Sequence, residues 1–129
     1  MWDRKTLLAR LAVGDIFHAV SPSAPSMICL ITAMSEGTFE ARTVTHQFHF
    51  TFDRQTGKGV PHREDPRFDF ECTIDSVSPL PVDIHNTLLG LDRKMRLAHD
   101  SESFKLDGAE RQALIFVGRF YPEHPLPLE

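Results

Sequence analysis

Cysteine is scarce. The chain of 129 residues holds two, Cys29 and Cys72, both among apolar neighbours, and neither belongs to a Cys-x-x-Cys pair. That excludes a disulfide-dense scaffold and a cysteine-rich zinc module, and it suits small core residues better than thiolates. Long apolar runs are also missing. The longest, from Met27 to Met34, is interrupted by Thr32 and falls well short of the roughly 20 residues that span a bilayer as a helix. The N-terminus lacks a basic start followed by an apolar stretch and a small-residue cleavage site, so the expectation is a cytoplasmic protein with no membrane contact.

A cationic surplus is absent too. Net charge is −4; residues 1–64 carry seven Lys/Arg against six Asp/Glu, and residues 65–129 carry seven against twelve. Generic coating of nucleic acid depends on phosphate neutralisation, so this balance disfavours it, though a local basic patch is compatible with it.

Catalytic signatures are lacking as well. No Gly-x-Ser-x-Gly elbow occurs, and the histidines form no helical i, i+4 pair around a Glu. Thr56-Gly57-Lys58-Gly59 looks like a phosphate loop, but Phe52 stands where the motif needs its first glycine and Gly59 where it needs Ser or Thr. The expected complement of catalytic residues, cofactors and metals is therefore none. A small enzyme built on Cys29 or a histidine is the least favoured alternative.

What the chain does have is phenylalanine, 10 of its 12 aromatic residues, within a composition that is 41% hydrophobic and 25% charged. That is enough for one core, and the pattern predicts a single domain over 1–129. Residues 1–78 read as mainly β with a short N-terminal helix; residues 79–129 read as mainly helical with an extended, proline-rich tail. The helix is capped by Asp3, has Leu7, Leu8 and Leu11 on one side, and ends at Gly14. Met27–Met34 is apolar on both faces, as in a strand covered twice, and Ser35–Thr38 turns it into a hairpin.

Beyond that turn Phe39 and Ala41 fall on odd positions, whereas Val44, Phe48, Phe50 and Phe52 fall on even ones. The slip near Thr43 implies a bulge or sharp bend that curls the sheet. Arg67–Asp75 alternates cleanly, with Phe68, Phe70, Cys72 and Ile74 inward. Helical periods then follow over 83–98, through Ile84, Leu88, Leu91 and Met95, and over 108–121, through Ala109, Ala113, Phe116, Val117 and Phe120 until Pro122 stops the helix. The fold class is α+β: a small, strongly curved antiparallel sheet, curling toward a barrel of SH3-like size, with one short N-terminal helix and two C-terminal helices.

His46 and His49 lie three apart in what reads as one strand, which sends them to opposite faces and forbids chelation. The acidic stripe Asp69, Glu71 and Asp75 reads as the wet side of a sheet. Two groups remain as binding candidates: Arg54, Lys58, His62 and Arg63 in a charged loop over 53–65, and Arg93, Lys94 and Arg96 near the end of the first C-terminal helix. From these the expectation is a non-enzymatic protein-binding or regulatory module using the loop. The alternative is a nucleic-acid-binding module using the helix cluster. Sheet edges and the apolar face of the last helix leave homodimerisation open.

Overall fold

The computed structural model describes residues 3–21, 27–60, 72–97 and 106–126. Asp3 opens helix α1 (Arg4–Ala9) by accepting the Thr6 amide at 2.8 Å, as its type and position require. The helix stops at Arg10 rather than at Gly14. The Asp15 carboxylate takes the Ala12 amide at 2.9 Å, and the Asp15 amide bonds back to the Ala12 carbonyl, so a tight turn competes with a further helical turn. Gly14 sits in that turn at φ 96°, a conformation that favours glycine, with its amide on the Ile31 carbonyl.

Five strands follow: β1 (Ile16–Val20), β2 (Met27–Met34), β3 (Thr38–Thr43), β4 (His49–Asp53) and β5 (Thr73–Ser76). They form one antiparallel sheet in the order β4-β3-β2-β1-β5, curled into a half-barrel. The part of the expected 67–75 strand that is described, Thr73 onward, forms β5, with Cys72 and Ile74 buried; Phe68, Phe70 and the acidic Asp69 and Glu71 lie outside the described residues. Residues 57–60 bridge the two edge strands. Gly59 pairs with Phe52 of β4, Lys58 pairs with Thr73 of β5, and the Gly59 amide reaches the Cys72 carbonyl at 2.8 Å. The part of the 53–65 loop that is described is thus a tight turn and a seam.

The phase slip near Thr43 is a full chain reversal. The Thr43 amide bonds to the Phe48 carbonyl, the Thr43 hydroxyl accepts the Phe48 amide at 3.1 Å, and Gln47 takes φ 60° to close the turn. Ala41 consequently faces Phe50 and Phe39 faces Phe52, so an odd position sits beside an even one on the same side of the sheet. The bulges lie elsewhere. One interrupts the β2–β3 register between Ile31 and Ala33, and one sets Asp75 as an extra residue opposite His18 and Ala19. Both add twist, and curl follows from twist.

The sheet has two apolar faces. Inside the curl, Phe17 meets Phe39 and Phe52 edge-on with ring centres 5.7 and 5.2 Å apart, among Ala19, Cys29, Ile31 and Ile74. On the other face, helices α2 (Val82–Leu97) and α3 (Gly108–Glu123) bury Leu88, Leu91, Ala113 and Val117 against Ile16, Leu30 and Val44. Each such aliphatic side chain contributes about 1.5–3 kcal/mol when fully buried.

Helix α3 turns Ala113 and Val117 inward as its periodicity suggests, with the buried face rotated toward Tyr121 and away from Ala109 and Phe116. Ala113, Val117 and Tyr121 are buried, while Phe116 is exposed and Phe120 half-buried. Tyr121 is favoured inside because its hydroxyl donates to the Ile16 carbonyl at 3.0 Å, satisfying its polar end. The helix runs through Pro122 and ends one residue later at Glu123, at the cost of the single bond that the missing proline amide would have made. The tail then folds back, with the Ser76 hydroxyl on the His124 carbonyl at 2.6 Å and the Leu126 amide on the Asp75 carbonyl at 2.7 Å.

Candidate binding surface

The β3–β4 turn is locked to α2 by one carboxylate. Asp92, buried in the middle of the helix, accepts Arg42 through both oxygens at 2.8 and 2.7 Å, and also accepts the Gln47 side-chain amide at 2.9 Å. Gln47 reaches it because the left-handed backbone at that residue aims its side chain at the helix, while its Nε2 also donates to the Thr43 carbonyl at 3.2 Å. Burial pushes the Asp92 carboxyl up, but the bonds from Arg42 and Gln47 and the charges of Arg42 and Arg96 outweigh it and hold its pKa below the usual carboxylate value. The same partnership raises the Arg42 pKa.

This anchor leaves the rest of the turn facing outward. Phe48 is 55% exposed, and its ring stacks with that of exposed His46 at 5.7 Å between centres. The expectation that Phe48 shares one flank of a strand with Phe50 and Phe52 is corrected here: it precedes β4 and belongs to the reversal. His46 likewise lies in the turn and not on a strand, and His49 begins β4 opposite Arg42. Among the described residues no three His, Cys, Asp or Glu side chains are grouped to hold a metal ion.

The basic cluster of α2 divides. Lys94 turns toward α3, its ammonium 3.0 Å from the buried Glu110 carboxylate, which also accepts the Asp107 amide in the capping box of α3. Arg96 lies one helical turn beyond Asp92 on the side that meets the β3–β4 turn, close enough for its charge to act on that carboxylate, and Arg93 is exposed beside them.

Arg54 and Lys58 sit at the other end of β4, roughly 14 Å along the strand from His49. Arg54 donates to the Ser35 carbonyl at 2.7 Å, and its amide bonds to Gly37, so it braces the β2–β3 turn. Lys58 is exposed on the seam between β4 and β5. His62 and Arg63 lie outside the described residues. Among the described residues, Arg54 and Lys58 therefore lie at the opposite end of β4 from the turn that is tied to α2, and that turn carries His46 and Phe48, whose sequence reads as strand.

Groups with catalytic potential are placed unfavourably for it. His18 Nδ1 lies 2.5 Å from Asp75 Oδ1, but the side chains are 6% and 40% exposed respectively. A catalytic dyad needs the imidazole presented and the carboxylate behind it, and here the order is inverted. Burial pushes the pKa of both Cys29 and Cys72 above the ordinary thiol value, which keeps them protonated. No helix among the described residues is long and apolar enough to cross a membrane. No family model, curated protein or solved structure matches the chain.

Proposed function

We propose that the chain is a non-enzymatic binding module whose recognition surface is the β3–β4 turn together with the adjoining side of α2. The observation that carries this is the outward Phe48–His46 stack on a turn that Arg42 and Gln47 tie to Asp92, on the helix that carries exposed Arg93 and Arg96. A rigid turn binds with little ordering cost, and aromatic and arginine side chains are the ones that most often dominate recognition. Arg93 and Arg96 are exposed on α2 while the charge of Asp92 is answered by Arg42, which favours an anionic partner.

In this reading the curled sheet is a small SH3-like scaffold acting in the cytoplasm, a setting supported by two free cysteines used as core residues. A protein partner captured through residues 53–65 is a second reading, favoured by exposed Lys58 and Val60 on the seam.

The test is amide shift mapping by NMR with two anionic probes, a short oligothymidylate and an oligoglutamate. At least one should move the resonances of residues 46–49 and 93–96 most. No response to either probe, or a response centred on residues 54–60, removes the proposed surface.

A further inference from the structure

Resting on that surface, we infer that its ligand class is single-stranded nucleic acid. Three features favour it over an acidic protein. First, Phe48 is an exposed ring flanked in the chain by Thr45, His46, Gln47 and His49 and not by aliphatic residues. A stable protein interface needs a contiguous apolar patch, whereas one unstacked base needs one planar face.

Second, the stack is already begun. The His46 and Phe48 rings are inclined by only 28°, so a base laid on the free side of Phe48 extends an existing column. Third, the exposed charges on the stretch of α2 that anchors this turn are guanidinium groups. Arg42 is held by Asp92, while Arg93 and Arg96 form no salt bridge among the described residues and stand exposed. Planar guanidinium forks suit phosphate oxygens, and two of them on the helix to which Gln47 ties the turn suit a short stretch of backbone leading to a stacked base. A duplex offers no free base face, so the single strand is the form that uses every part of the surface.

The experiment is fluorescence anisotropy with a labelled oligothymidylate of roughly twelve nucleotides, the same strand annealed to its complement, and a labelled oligoglutamate of matched charge. The single strand should bind, and the duplex more weakly. Phe48→Ala should weaken binding at least about fivefold, and Phe48→Tyr, which keeps the ring, should retain it. Replacing Arg93 and Arg96 together by Ala should reduce the salt slope by about 1.4, the share of two phosphate contacts to a single strand. Thermal unfolding of each variant confirms that it is folded.

Binding of oligoglutamate without the oligonucleotide overturns the ligand class and leaves the surface standing. Oligonucleotide binding indifferent to Phe48 overturns the inference as well, and binding of neither probe overturns both.

Discussion

Arg42 of β3 and Asp92 of α2, fifty residues apart, meet through two parallel hydrogen bonds of 2.8 and 2.7 Å. Their side chains are 14% and 4% exposed, so neither can trade its partner for water. This pair joins the sheet to the helix layer and decides where the β3–β4 turn sits.

Removing one member of such a pair leaves an uncompensated buried charge, which typically costs about 3–5 kcal/mol. Arg42→Ala should therefore be strongly destabilising in urea denaturation. Gln47→Ala removes one hydrogen bond to a charged group and should cost about 1.5–3 kcal/mol. A double-mutant cycle between positions 42 and 92 should show clear coupling, whereas additive effects would mean the pair does not form in solution.

The same carboxylate sets an acid response. Because the folded-state pKa of Asp92 lies below its ordinary value of about 3.9, the pair stabilises fully above that value and loses its contribution as pH falls through the lower, folded value. Stability of the wild type should thus drop below about pH 4. Asp92→Asn should be less stable at neutral pH, and the gap in urea midpoint between the two should narrow toward acid.

Two glycines of the seam should resist substitution. A Cβ at Gly59 would collide with the Cys72 sulfur; at Gly57 it would come within 2.7 Å of Arg4 Nη2, on a backbone of φ 74°. Alanine at either should destabilise by about 1–3 kcal/mol, the usual range for forced overpacking. At Gly37, where nothing lies within 4 Å of an added Cβ, alanine should change little. Calorimetric melting points check the contrast, and Cys72→Ala should partly rescue Gly59→Ala.

Both thiols should be inert to iodoacetamide in the native state and react only on unfolding, since burial keeps them protonated. Mass spectrometry of the alkylated protein reads this directly. Rapid native labelling of Cys29 would revive a thiol enzyme.

Much of the fold is legible in the residues. Asp3 caps its helix, Met27–Met34 is covered on both faces, and Leu88 and Leu91 sit inward on α2, because capping and periodicity are local rules. The reversal after Thr43 hid because the turn His46-Gln47 carries neither glycine nor proline: a threonine hydroxyl and a left-handed glutamine do the work those residues usually signal. The change from odd to even phase was the visible trace of it. Asp92 carries no local signal because its partners come from the sheet, and Lys94 parts from Arg93 and Arg96 because Glu110 of α3 claims it. The face of α3 is legible at Ala113 and Val117 but not at Tyr121, whose hydroxyl finds a buried acceptor that no local pattern shows.

The most direct measurement sets the two ends of β4 against each other, using oligothymidylate affinity for two variants. One carries alanine at Phe48, Arg93 and Arg96; the other carries alanine at Arg54 and Lys58. Loss of binding in the first with affinity near wild type in the second is the expected result. Loss in the second with the first unimpaired would contradict a recognition surface at the β3–β4 turn.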